Sequence, residues 1–392
     1  MTINLELSEK LAATVERTHL AAEHVLRPIA RKYDLAEHEY PTELDDLAKL
    51  ANDAEKAGAT AEPAADKRSE ASLVAVLAAL EVSWGDLGLL LSMPGRGLGN
   101  AAIAAVATPE QLEKFAGVWA AMAITEPGAG SDSAAISTTA TRDGDDYVIN
   151  GEKIFVTAGS RADHVVVWAT LDKSAGRAAI KSFVVPRDTA GLTVDRLEEK
   201  LGIKASDTAV LRFENVRVPA ENLLGSPDID VEKSFAGAMA TFDNTRPVVA
   251  GMAVGVARAA LEELRDVLAD AGVEVDYDKP LASQHYAVSE YVRLEADVEA
   301  AYLLALRAAW MADNHIPNSK EASMAKAKAG RAVTDATTKA VELVGTLGFS
   351  EVMLLEKWAR DAKILDIFEG TQQIQQLIIA RRLLGKSSAE LK

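Results

Sequence analysis

The spacing of apolar positions changes character twice along the chain. From residue 1 to about 118 it is helical, with Leu5, Leu7, Leu11, Val15 and Leu26 compatible with one buried face and almost no β-branched alternation. The piece 52–68, rich in Ala, Asp and Glu, holds few large apolar groups and reads as a loop or a weakly packed helix. Thr108 followed by Pro109 predicts a cap and first turn for a short helix over 109–115. Near Trp119 strands and turns begin to alternate, with strands expected over 135–141, 146–150, 153–157, 164–170, 182–185, 192–197 and 209–216. Asp143-Gly144 and Asn150-Gly151 both read as hairpin turns, since these residues tolerate the positive φ that tight turns need. Helical spacing returns at about Val231 and predicts helices over 248–268, 285–311, 323–344 and 371–384, which short connections would join into an antiparallel four-helix bundle. The expected fold is α+β and multidomain: a helical domain over 1–118, a β-barrel-like domain over 119–230 and a helical bundle over 231–392.

Composition narrows the function classes. A chain of 392 residues is long enough for two or three domains, each with its own core. A net charge of −17 argues against a nucleic-acid partner, although a few local arginines would still suit an anionic substrate. The chain has no cysteine, which excludes disulfides, thiolate metal sites and cysteine nucleophiles. His19, His24, His38, His164, His285 and His315 are scattered without metal-ligand spacing, so no metal is expected. The start, Met1 to Lys10, is polar, and the apolar run 71–93 is interrupted by Glu81 and Asp86, so it reads as buried helix and not as a membrane span. A reducing cytoplasm is the expected location.

Three stretches could carry chemistry. In Ile364 to Gln375, Glu369 lies between Phe368 and Gly370, just ahead of an amphipathic helix. A carboxylate with such apolar neighbours is partly desolvated, which raises its pKa and suits general-base work. Taken alone, it also fits a first-turn Glu favoured by the helix dipole. Thr125-Glu126-Pro127-Gly128-Ala129-Gly130-Ser131-Asp132 offers hydroxyls and a backbone a ligand can approach, though an ordinary strand-exit turn has the same composition. In Phe242-Asp243-Asn244-Thr245-Arg246-Pro247, Arg246 suits a phosphate contact or, equally, a salt bridge.

In this order, and with Gly151-Glu152-Lys153-Ile154-Phe155-Val156-Thr157 and Asp361-Ala362-Lys363 added, these passages resemble the acyl-CoA dehydrogenase family from about Glu110 to the end, with the C-terminal half similar to the medium-chain type. The resemblance implies FAD and an acyl-CoA thioester held between helical and β domains, with electrons passed to an electron-transferring flavoprotein in β-oxidation. Glu369 would remove the α-proton while the β-hydrogen leaves as hydride to the flavin, giving a trans-2-enoyl-CoA. The carbonyl would be polarised by the amide of that Glu and a flavin ribityl hydroxyl. Met122, Ile124, Thr125, Phe155 and Thr157 would line the flavin ring, with Gly130, Ser131, Val156, Gly370, Thr371 and Gln373 completing its site. Ser131 would meet the pantetheine arm, Asp243, Thr245 and Arg246 the CoA end, and Phe368 and Gly370 the substrate. Met122 stands where an aromatic is common. Thr245 occupies the position where some branches carry an alternative base, which leaves Glu369 the sole candidate.

One departure bears on assembly. Homotetrameric members lend a neighbour's cofactor an Arg, followed three residues later by Phe and Gly, and a Gln beyond. Here Glu274 replaces the Arg, Tyr277 and Asp278 follow, and His285 stands at the Gln; Glu342 and Thr346 depart from a second such loop. Acids at 274, 276 and 278 would repel a pyrophosphate. The expectation is a hetero-oligomer in which a related chain supplies these contacts, with a homotetramer as the other possibility. A competing function is a non-catalytic or regulatory acyl-CoA-binding subunit that does not hold FAD alone. Acyl length and branching would be set near 89–99, which departs too far from the family pattern to interpret.

Overall fold

The computed structural model describes residues 7–59, 70–95, 97–229, 236–387 and 390. Leu5 and residues 60–68 of the expected weakly packed piece therefore lie outside the described residues. Helices α1 (Glu9–Ala21), α2 (Arg27–Leu35), α3 (Glu43–Ala59), α4 (Ala71–Gly85), α5 (Leu87–Ser92), α6 (Leu98–Val106) and α7 (Pro109–Lys114) come first. A π-helical turn, Ala22–Leu26, joins α1 to α2 where Gly85 packs against Ala22; a β-carbon on Gly85 would lie 2.9 Å from that of Ala22. Helix α7 starts as its sequence predicts, with Thr108 and Gln111 bonding reciprocally to each other's backbone amide.

The middle of the chain is a curled mixed sheet of β1 (Ala120–Ala123), β2 (Thr139–Asp143), β3 (Asp146–Thr157), β4 (His164–Thr170), β5 (Ile180–Pro186), β6 (Leu192–Leu197) and β7 (Thr208–Pro219). Its order is β1-β4-β2-β3-β7-β6, with β5 antiparallel to β4 and β1 parallel to it. Asp143-Gly144 does turn the β2–β3 hairpin, with Gly144 at φ 62°. Asn150-Gly151 does not turn. The twelve-residue β3 runs through it, and Gly151 is needed because a side chain there would collide with Thr138, whose hydroxyl is 2.3 Å from the β-carbon position. Strand β1 was not expected, because Ala-Ala-Met-Ala carries no β-branched residue.

Helices resume with α8 (Ala236–Asp270), followed by α9 (Tyr286–Asp313), α10 (Ser319–Val344), α11 (Leu355–Leu365) and α12 (Gln372–Leu384). Helix α11 is the element that the helical spacing did not predict. The two helical parts do not have separate cores. Leu26, Leu80 and Trp84 share one continuous apolar cluster with Val249, Leu294, Val333 and Trp358. Close approach explains the alanine enrichment: Ala250, Ala253 and Ala257 on α8 face buried alanines of α9 and α10. At Gly255 a β-carbon would lie 2.0 Å from the Leu80 carbonyl oxygen of α4. Among the described residues no helix is long and apolar enough to cross a membrane.

A buried ionic junction ties all three parts together. Lys357 of α11, 1% exposed, donates to Asp86 at the α4–α5 corner and to Asp361 one turn along its own helix, at 2.6 Å for the latter. Both carboxylates are fully buried, and each accepts a backbone amide as well: Leu89 N–H on Asp86 at 2.8 Å, Ile203 N–H on Asp361 at 2.5 Å. Ile203 belongs to the β6–β7 connection, where Gly202 is pressed so tightly onto α11 that a β-carbon would lie 2.5 Å from the Arg360 carbonyl carbon. Outside the junction, Arg31 and Arg360 bond Asp34 and Glu356 in a ring joining α2 to α11. Lys357→Met would leave two buried carboxylates facing each other without a cation. We expect it to lower stability by about 3–5 kcal/mol in denaturant titration.

Candidate active site

The sheet, the β6–β7 connection, α8 and the turn between α11 and α12 enclose one cavity of about 810 Å³. Eleven of the residues singled out from sequence line it: Met122, Ile124, Thr125, Gly130 and Ser131 from β1 and the loop after it, Phe155 and Thr157 from β3, Arg246 from α8, and Phe368, Glu369 and Gly370 from the turn. The other five stand apart from the wall. Val156 is 1% exposed and points into the sheet core, as strand alternation requires between two cavity-facing neighbours. Thr371 caps α12, and Gln373 is exposed on that helix. Asp243 pairs with Arg246 at 2.7 Å, and the Thr245 hydroxyl donates to Glu369 Oε2.

Two local distortions build the wall. The β3–β7 register slips between Lys153 and Val156, and Phe155 takes φ 57°, which turns its ring outward; 61% of that large apolar residue is exposed. Glu369 and Gly370 are consecutive left-handed residues, at φ 56° and 97°. The glycine is favoured there by its φ of 97°, a conformation that side-chain-bearing residues rarely adopt, and a β-carbon would also push aside Gln375 Nε2. Behind the Thr125–Asp132 loop, buried Glu126 accepts Lys153 Nζ at 2.8 Å together with the amides and hydroxyls of Ser137 and Thr138. That pairing holds the Glu126 carboxyl down to about 2, while burial brings the Lys153 amine to about 8.

Four charged groups cluster at the Glu369 turn: Arg246 and Lys326 are buried, and Asp243 and Glu369 are partly so. Burial raises the Glu369 carboxyl above its ordinary range, opposed by the Thr245 hydroxyl, Arg246 and Lys326. Glu369 Oε1 is buried without a hydrogen-bond partner. Burial also raises Asp243 and lowers Arg246, and each is held back by the other. Lys326 of α10, 1% exposed, donates to the Gly370 carbonyl at 2.7 Å. Sequence reading missed Lys326, Leu98 of α6 and the 198–203 stretch of the β6–β7 connection. Lys326 sits in an Ala-rich helical repeat where a lysine reads as a solvated face, and only its burial distinguishes it. A carboxyl poised above its usual range, an unpartnered oxygen and an apolar wall together suit proton abstraction from a weakly acidic carbon.

Comparison with known proteins finds similarity to one family. Residues 121–216 match the family model for the acyl-CoA dehydrogenase middle domain, and 235–384 match that for the acyl-CoA dehydrogenase C-terminal domain. The mitochondrial short-chain specific acyl-CoA dehydrogenase of Rattus norvegicus is 40% identical over 262 residues, which span 67% of this chain and 62% of that protein. The probable acyl-CoA dehydrogenase YngJ of Bacillus subtilis (strain 168) is 39% identical over 262 residues, 67% of each chain. The structure of butyryl-CoA dehydrogenase from Megasphaera elsdenii superposes with a TM-score of 0.86 at 32% identity, covering 97% of this chain and 100% of that one.

Lys153→Met should lower stability by about 3–5 kcal/mol near neutral pH, because Glu126 is left charged and unpaired in the interior. The Glu126 carboxyl is held below its unfolded value of about 4.3, so the stability its ionised form contributes is full above that value. It is lost as pH falls toward about 2. Urea titrations at stepped pH should therefore show the gap between wild type and variant closing across that window.

Proposed function

The chain belongs to the acyl-CoA dehydrogenase family, and on that premise we propose that it dehydrogenates an acyl-CoA thioester to the trans-2-enoyl-CoA, using FAD and an electron-transferring flavoprotein as acceptor. The observation that carries this reading is Glu369: a carboxyl raised by burial, with one oxygen unpartnered, on a turn that faces the cavity.

The residues present fit a flavin. Phe155 offers an uncovered aromatic face, Met122 and Ile124 an apolar wall, and Thr125 and Thr157 hydroxyls for the polar edge of a flat ring. When bound, FAD supplies the two-electron acceptor for the hydride leaving the β-carbon. Glu369 takes the α-proton on Oε1, while Thr245 occupies Oε2 and keeps the carboxylate turned one way. The Glu369 amide, which has no acceptor among the described residues, donates to the thioester carbonyl as charge develops there. Arg246, paired with Asp243, offsets the charge of Glu369 without donating to it. Ser131 and Gly130 flank the route taken by the pantetheine arm.

The assembly we favour is a hetero-oligomer with a second chain of the same family. The support is the corner between α8 and α9. There Asp276 pairs with Lys279, Tyr277 donates to exposed-rim Glu295, and the Gln284 amide turns inward onto the Asp276 and Lys279 carbonyls at 2.7 and 3.0 Å. His285 is engaged as the α9 cap. This corner thus presents acids outward and keeps its amide to itself, which is poorly suited to holding a neighbour's pyrophosphate. The same acids favour the second reading, an acyl-CoA-binding subunit without its own FAD.

Glu369→Gln should lower turnover by at least ~100-fold, with acyl-CoA affinity by calorimetry nearly unchanged; undiminished turnover would remove Glu369 as the base. Expressed alone, the chain should carry little flavin by visible absorption, and co-expression with a homologous chain should yield a flavin-bearing mixed assembly. A yellow homotetramer would instead show that the acidic corner is compensated.

A further inference from the structure

The turn that presents Glu369 is strained and must be held. A glutamate in the left-handed region costs on the order of 1–2 kcal/mol, and the turn sets two successive carbonyls against neighbouring side chains. Gln375 Nε2 donates to both, at 3.0 Å to the Glu369 carbonyl and 3.0 Å to that of Gly370. Lys326 Nζ adds a second donor to the Gly370 carbonyl, from a different helix. One turn further along α10, Gly330 lies so close to the end of α11 that a β-carbon would be 2.9 Å from the Leu365 carbonyl oxygen. Gln372 Nε2 meets the Ala327 carbonyl at 2.9 Å. Helix α10 is thereby pressed onto the turn along the face that carries Lys326.

The amine is unusual in its surroundings. It is 1% exposed, and its hydrogen bond goes to the Gly370 carbonyl and to no carboxylate among the described residues; Asp366 nearby pairs with Lys363 at 3.3 Å instead. The charged groups facing it are Asp366 and Glu369 on the α11–α12 turn and Arg246 on α8. Burial without a close counter-ion brings its pKa down to about 8, with Asp366 and Glu369 opposing that fall. An ammonium grips a carbonyl more strongly than a neutral donor would, and at this depth its charge also acts on the neighbouring carboxylates.

We propose that Lys326 is a positioning residue of the active site: through the Gly370 carbonyl its ammonium holds the left-handed turn that aims Glu369, and its charge balances the Glu369 carboxylate. The proposal rests on Glu369 acting as the base. Lys326 would then act at one remove, touching neither substrate nor flavin.

Lys326→Met removes both donor and charge, Lys326→Gln keeps a donor without the charge, Lys326→Arg keeps the charge, and Gln375→Leu loosens the same carbonyls with the charge intact. The readout is the infrared band of the protonated Glu369 carboxyl, identified by its loss in Glu369→Gln and titrated with pH on the chain as expressed. Lys326→Met should raise the midpoint by about one pH unit, a tenfold change in proton affinity. Lys326→Arg and Gln375→Leu should leave it near the wild-type value. Lys326→Gln should reproduce the rise, and decides the matter if the methionine variant does not fold. With acyl-CoA, the neutral variants should lose kcat with KM nearly unchanged. A midpoint that does not move in either neutral variant overturns the proposal. Wild-type chain that turns over no acyl-CoA in any assembly would overturn the functional reading instead, and the infrared titration would still decide the electrostatic role of Lys326.

Discussion

A single lysine with two buried carboxylates holds the parts of this molecule in register. Lys357 neutralises Asp86 from the first helical part and Asp361 from its own helix, and Asp361 in turn caps the amide of Ile203 from the sheet. The junction is net negative and out of reach of water, so it depends above all on the lysine, whose loss would leave two buried carboxylates without a cation. The cavity depends on it directly. Its outer wall is the 198–203 connection clamped by Gly202 and Ile203, and its inner end is the turn that leaves α11 four residues beyond the helix end.

The end of the cavity that carries Glu369 repeats the same design with the charges spaced further apart. Asp243 and Arg246 form a close pair, whereas Glu369 and Lys326 each lack a direct ionic partner and act on one another through a peptide group. In the close pair Asp243 and Arg246 hold each other, and Arg246 still acts on Glu369 at longer range. In the loose pair, burial raises the Glu369 carboxyl while the Lys326 charge opposes that rise, so the two effects are set against each other at the group proposed as the base.

Much of this was legible in the residues, and the exceptions have definite causes. Glu369, Arg246 and the Thr125–Ser131 loop were each ambiguous in local context, and it was their order and separation along the chain, with the resemblance these carry, that singled them out. Positions whose role is set by distant neighbours were not singled out. Lys326 and Lys357 look like the polar stripe of amphipathic helices until tertiary packing buries them. Asn150-Gly151 carries a strong turn signal, yet its glycine answers to a clash with Thr138 across the sheet and not to a hairpin. Helix α11 was overlooked although Leu355, Trp358, Ala362 and Leu365 recur at helical spacing; the run is only eleven residues long, and Glu356, Lys357, Arg360 and Asp361 gave no sign of the buried or half-buried partners they meet.

The α8–α9 corner stands at the opposite extreme from α11. Its polar groups satisfy one another through Gln284 and Lys279, and it takes no part in the ionic junction. Its charge can therefore change without touching the Lys357 junction or the turn that carries Glu369. In the proposed hetero-oligomer, which chains can pair would be decided at a surface that neither holds the fold together nor shapes the cavity.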